Sequence, residues 1–95
     1  MTELVPDPSD AVFRALADPN RRRMLDLIRA TPGLNVNTLT ESFVFSRFSV
    51  MKHLRVLRAA DLVLSRRIGK ERRLFLNPVP LQIIHDRWLR QYSDR

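Results

Sequence analysis

Cysteine is absent from these 95 residues, so no disulfide, thiolate nucleophile or thiolate metal site can form. Glycine is scarce as well: two glycines and six prolines leave room for several uninterrupted helices. No apolar run approaches the ~18 residues a membrane span needs, so no membrane partner is expected. Met1 to Val5 lacks the basic-then-apolar order of a signal peptide, which makes a cytoplasmic protein the default expectation. A glycine-rich phosphate loop, a nucleophile–base pair and paired carboxylates are all missing, so neither an enzyme nor a cofactor is expected. No metal site is expected either. His53 has only Ser49, Val50, Val56 and Leu57 a turn away, and His85 has Asp86 beside it with Gln82 and Leu89 a turn away.

Acidic residues are short in one stretch in particular. Between Ser46 and Arg73, nine basic residues (Arg47, Lys52, Arg55, Arg58, Arg66, Arg67, Lys70, Arg72 and Arg73) meet only Asp61 and Glu71. Elsewhere the charges cancel, so this segment holds the chain's entire net charge of +7. Such a concentration is the footprint of a polyanion binder, although charge alone also fits a solvated basic face. A hydrophobic content of 44% fits a globular chain, and the length fits one domain. A flexible segment at 1–8 is expected, with its Pro6-Asp7-Pro8, followed by one folded unit over 9–95.

Periodicity and capping residues then place the elements. Ser9 can cap a first helix with Val12, Phe13, Leu16 and Ala17 on one side. Asp18-Pro19 stops it and starts a second, with aspartate as N-cap and proline at the first helical position. That helix should bury Met24, Leu25 and Ile28, leave Arg22, Arg23 and Asp26 wet, and end at Pro32-Gly33. Asn35 can cap a short third helix carrying Val36, Leu39 and Phe43. Ser46 can cap a fourth that buries Val50, Leu54 and Leu57, and so short a link predicts a helix-turn-helix crossing.

The run 62–68 reads as a strand, Gly69-Lys70-Glu71 as a turn, and 72–76 as a second strand. Leu62, Leu64, Arg66 and Ile68 would share the face packed on the body, leaving Arg67 freer. Pro78 and Pro80 set up a last helix over about 81–93. On it Leu81, Ile84, Trp88 and Tyr92 fall on one stripe with Leu89 beside it. A partner surface explains these large side chains; capping of the chain's own core is the other reading. The fold class is therefore mainly α: a winged helix-turn-helix with about five helices and a two-stranded β-wing.

On the fourth helix, Arg47, Ser49, Lys52 and Arg55 point largely away from the core. Arg47 suits a bidentate contact to guanine, and Ser49 a base edge or phosphate. Phe48 and Met51 suit thymine methyl groups, or one of them packs against the third helix. Lys52 and Arg55 suit phosphates, and His53 either packs or touches one. In the hairpin, Arg67, Lys70, Arg72 and Arg73 are the expected wing contacts. About four phosphate contacts per protomer in a dimer give a log K against log salt slope of roughly −7. A protein-interaction module is the alternative, although lysine is usually depleted at the centre of protein interfaces. A third reading, RNA binding, lacks the set of exposed stacking aromatics that single-strand readers use.

Leu16-Ala17-Asp18-Pro19-Asn20-Arg21, Ser49-Val50-Met51-Lys52-His53-Leu54-Arg55-Val56-Leu57 and Ala60-Asp61-Leu62-Val63 resemble, in that order, the ArsR/SmtB family of bacterial winged-helix repressors. The resemblance runs from about Ala11 to Tyr92. It implies a homodimer joined through the first and last helices (Phe13, Leu16, Leu81, Ile84, Trp88, Leu89 and Tyr92), bound to a pseudo-palindromic double-stranded DNA operator. It also implies repression near the regulator's own promoter, relieved by a signal. Arg47 to Leu54, and Asn77 to Leu81 with Trp88, Leu89 and Tyr92, resemble a branch without metal ligands. Where many members carry a cysteine pair on the third helix, this chain has Glu41-Ser42-Phe43-Val44-Phe45. Of the carboxylate and histidine site on the last helix, only His85 and Asp86 are present. Asp61 stands where the family usually has glycine, so that turn should survive at some cost in stability.

Overall fold

Caps and turns set the path of this chain more than its propensities do. The structure, a computed structural model, describes residues 7–93; residues 1–6, most of the expected flexible segment, lie outside them. Helix α1 (Ser9–Leu16) buries Val12 and Ala15. Ser9 is not its cap. Pro8 takes the N-cap position with helical dihedrals, and the Asp7 carboxylate reaches the Ser9 N–H at 2.9 Å, so serine lies inside the first turn. Ala17, expected on the buried stripe, is exposed just past the helix end.

Helix α2 (Pro19–Ala30) follows at once, with the Asp18 carboxylate accepting from the N–H groups of Asn20 and Arg21 at 2.8 and 3.1 Å. Its buried residues, Met24, Leu25 and Ile28, are those the period predicts. The carbonyls left over at the end of α1 find donors on α2. Arg21 Nε donates to Ala15 O at 2.7 Å, Arg21 Nη2 to Arg14 O at 2.9 Å, and Arg22 Nη1 to Leu16 O at 2.7 Å. The Asp-Pro-Asn-Arg sequence is thus a corner that caps one helix while starting the next.

Gly33, at φ +82°, turns the chain so that its N–H meets Leu74 O at 2.9 Å. A short strand β1 (Leu34–Asn35) follows, which the sequence reading did not include, since two residues carry no periodicity. Asn35 caps α3 (Val36–Glu41) through the Asn37 N–H at 2.7 Å. That helix stops before Phe43, which packs beside the core with its ring 4.9 Å from Phe45. Ser46 caps α4 (Arg47–Ala59), accepting from the Ser49 N–H at 3.2 Å, and Val50, Leu54 and Leu57 are buried as expected.

Helix α4 ends in a Schellman turn. Leu62 N–H bonds to Leu57 O and Asp61 N–H to Arg58 O, both at 3.0 Å, with Asp61 at φ +60°. The aspartate therefore occupies the left-handed position that glycine fills most cheaply. Strands β2 (Val63–Ile68) and β3 (Glu71–Leu76) form the hairpin, and β1 pairs on the far side of β3, giving the order β1-β3-β2. The buried face of β2 is the opposite of the expected one. Leu62 is buried but belongs to the turn, so alternation starts at Val63, and a shift of one residue reverses every side chain. Val63, Ser65 and Arg67 share the inner face, while Leu64, Arg66 and Ile68 face outward.

The last helix starts two residues earlier than expected. It runs as α5 (Val79–Ile84), a π turn (His85–Leu89) and α6 (Arg90–Ser93). The core these elements enclose is aliphatic, centred on Met24, Ile28, Leu39, Val50, Leu57, Leu62 and Leu74. Burying such a side chain is worth about 1.5–3 kcal/mol, enough to fix the angle at which α4 leaves the body.

Candidate nucleic-acid interface

Three buried anchors on α4 leave its opposite side free. Phe48 is 76% exposed, and Lys52 and Arg55 are exposed on the following turns. Phe48 therefore does not pack against α3. Arg47 is exposed at the first turn and donates from Nη1 to Asn37 Oδ1 at 2.8 Å, a bond between the two helices of the motif. Ser49 and Met51 are half-buried, with Met51 against the core.

His53 belongs to the body of the chain rather than to the exposed row. Its ring lies 5.8 Å from Phe45, edge-on, and its Nδ1 lies 3.5 Å from Arg21 Nη1. The same Arg21 guanidinium lies 3.8 Å from Asp18. Partial burial pushes the Asp18 carboxyl upward, but the Arg21 and Asn20 N–H groups and the Arg21 charge outweigh that and hold it below the ordinary aspartate value. Helix periodicity alone could not separate His53 from Lys52, because the neighbours that claim it are distant in sequence.

The hairpin tip is made by Gly69 at φ +64°, followed by Lys70, the order a two-residue turn with glycine first requires. It lies beside the start of α4, so that Arg47, Met51, Asn37, Lys70, Glu71 and Arg72 line one cleft. Cross-strand register sets Arg67 opposite Arg72 and Arg66 opposite Arg73. Like charges directly opposite destabilise a sheet, so two adjacent arginine pairs argue for a function outside the fold. Arg72 Nη1 donates to Ser65 Oγ at 3.0 Å on the side facing α4. Arg73 lies on the other side, held by Glu71 Oε2 at 2.6 Å and Gly33 O at 3.1 Å. The structure thus brings Arg47, Lys70 and Arg72 together and turns Arg73 away.

A second exposed surface joins α1 to the last helix. Phe13 and Trp88 meet edge-to-face at 5.7 Å, and Trp88 and Tyr92 at 5.0 Å. Trp88 stays 48% and Tyr92 70% exposed, so neither merely caps the core, and Leu89 is exposed beside them. Ile84, expected on the same surface, is only 2% exposed because it plugs the chain's own core. Leu16 and Leu81 are half-buried against that core. Ile83 and Val79 are also exposed on this helix.

Among the described residues, no three histidine or acidic side chains gather as a metal site, and His85 Nδ1 meets only Asp86, at 3.1 Å. No helix among them is long and apolar enough to cross a membrane.

No protein-family model matches the chain. It is 37% identical over 86 residues to the HTH-type transcriptional regulator YuzN of Bacillus subtilis, covering 84% of this chain and 94% of that protein. It is 34% identical over 71 residues to the transcriptional repressor SdpR of the same organism, covering 75% of this chain and 78% of that one. The crystal structure of an ArsR family transcriptional regulator superposes with a TM-score of 0.81 at 25% identity, covering 97% of this chain and 93% of the other.

Proposed function

Because the chain belongs to the ArsR family of helix-turn-helix transcriptional regulators, and so binds DNA rather than catalysing a reaction, we propose that it is a homodimeric repressor of the cytoplasm that works without a metal. The observation that carries this reading is the cross-strand Arg67–Arg72 couple, with Lys70, placed on the side of the hairpin that faces α4. That arrangement costs stability in the free chain and is repaid only by a polyanion.

In this reading α4 enters the major groove. Arg47 and Ser49 reach base edges there, Phe48 and Met51 meet thymine methyls, and Lys52 and Arg55 hold phosphates. Lys70, Arg72 and Arg67 of the hairpin reach the flanking backbone or minor groove. Phe13, Trp88, Leu89 and Tyr92, with Leu16 and Leu81 at the margin, join two copies. Half-sites of a pseudo-palindrome then lie about 34 Å apart, or a multiple of that. The whole of 9–95 acts as one DNA-binding and dimerising unit.

The test is to sequence the genomic fragments the purified protein retains and to measure their affinity at two salt concentrations. A pseudo-palindrome bound more tightly than random duplex is expected, with no response to added zinc. Retention without sequence preference would overturn the operator reading. In the recovered site, Arg47→Ala should lose about 1–3 kcal/mol and relax preference at one base pair. Equal loss on random DNA would reduce Arg47 to a phosphate contact.

A further inference from the structure

Of Arg47, Lys52, Arg55 and Arg58, the cations of α4, Arg47 alone has a hydrogen-bond partner among the described residues, the Asn37 Oδ1 that its Nη1 meets at 2.8 Å. Both ends of this bond stand on fixed backbone. Asn37 is the second residue of α3, between buried Val36 and Leu39, and its N–H is bonded to Asn35 Oδ1 at 2.7 Å. Arg47 is the first residue of α4, directly after the Ser46 cap. Ten positions apart in sequence, the two side chains are brought together by the helix-turn-helix crossing.

The partner is neutral, and that decides what the bond can do. Arginine carries only donors, so Asn37 must present its oxygen and turn its NH2 group away. A carboxylate in that place would hold the guanidinium as well but would cancel its charge. Glu71, the acidic residue lining the same cleft, is bonded to Arg73 instead, at 2.6 Å. Among the described residues Arg47 forms no ion pair, so it is oriented yet keeps its full charge. With the amide oxygen committed, Arg47 and Asn37 together offer N–H donors. Guanine is the base that sets two acceptors, N7 and O6, side by side in the major groove.

We infer that Asn37 is a positioning residue, which holds the Arg47 guanidinium in the orientation that reads guanine. Base preference is then set by α3 as well as by α4. This inference rests on the base contact proposed for Arg47 above and adds the residue through which that contact becomes selective. An untethered arginine must be immobilised at the moment of binding, which costs about two- to tenfold in affinity. It can also turn to a phosphate, which keeps its attraction to DNA and loses its sequence information.

The test compares Asn37→Ala, Arg47→Ala and the double variant of the full chain on the retained duplex, on its single base-pair variants and on random duplex. At the base pair that Arg47→Ala relaxes, preference should fall by about two- to tenfold in Asn37→Ala. Random-duplex affinity and the salt slope should not change, because no charge is lost. In the Arg47→Ala background, removing Asn37 should alter preference no further. Asn37→Asp keeps the acceptor, so it should recover preference at that pair while weakening binding to every duplex, since the added carboxylate repels phosphates. Melting should move little in either variant, because Asn37 is exposed and the backbone bond to Asn35 remains. Full preference in Asn37→Ala, a further loss in the Arg47→Ala background, or no recovery in Asn37→Asp overturns this inference alone. An Arg47→Ala chain weakened equally on specific and random duplex overturns the base-contact reading beneath it.

Discussion

The face formed by α4 with the hairpin and the face formed by α1 with the last helix are both open to solvent, yet they are built from opposite materials. The first concentrates guanidinium groups, sets Arg67 against Arg72 across the ladder, and has only Glu71 and Asp61 as acidic residues between Ser46 and Arg73. The second stacks Phe13, Trp88 and Tyr92 edge to face and keeps its charges at the margin, where Arg87 meets Asp7 at 3.4 Å. Coulombic attraction acts over about 8–10 Å and is screened by salt, whereas apolar contact acts at touching distance and is hardly screened. The two surfaces should therefore respond to different variables, even though one aliphatic core holds both in place.

Salt is the sharpest way to separate them. Raising it from 50 to 200 mM should weaken duplex binding by about 10³–10⁵-fold, given six to ten phosphate contacts. Dimer dissociation, followed by sedimentation, should change by less than about threefold over the same range, because apolar association lacks counterion release. Parallel losses would mean that the aromatic face is not what joins the copies.

Trp88→Ala is the next largest. Dimer affinity should fall by about 2–4 kcal/mol, as for a central aromatic anchor, while monomer melting moves little because the side chain is half exposed. A large drop in melting temperature with an intact dimer would reassign Trp88 to the core.

Asp18 serves both faces by fixing the corner between α1 and α2, so its loss should not discriminate between them. Asp18→Ala should cost about 1 kcal/mol of stability, read by thermal melting. Asp18→Asn keeps a capping oxygen and removes the charge. The folded carboxyl lies below the unfolded value of 3.8, so its charge contribution is present above that value and is lost as pH falls through the folded one. The wild-type advantage over Asp18→Asn should therefore vanish in acid; an advantage that persists there would exclude linkage as its source.

The smallest effect concerns Asp61. Glycine at φ +60° should stabilise the chain by up to about 1 kcal/mol and leave dimer affinity unchanged. A destabilised Asp61→Gly chain would mean that the carboxylate has a role in the turn beyond its backbone.

Much of this was legible in the sequence, and the losses have identifiable causes. The period of α4, the Asp18-Pro19 corner and the Ser46 cap are local signals, and the structure repeats them. The left-handed turn at Asp61 was readable through the family resemblance, since the family usually has glycine at that position. The face of β2 was not, because its alternation depends on where the Schellman turn ends, and one residue inverts the pattern. His53 was left between packing and a phosphate contact because Arg21 and Phe45, which claim it, are remote in sequence. Ile84 and Trp88 share a stripe at ordinary helical spacing, and nothing local indicated that one would face inward and the other out.

That last divergence comes from the wide turn at His85–Leu89, where the Arg90 N–H reaches back to the His85 carbonyl. Such a turn accommodates an additional residue without breaking the helix. Upstream of it the helix is committed to the interior of its own chain, and downstream its orientation is free to be reset. Gaining or losing a single codon within those five residues would swing the aromatic cluster around the axis and leave the interior packing untouched.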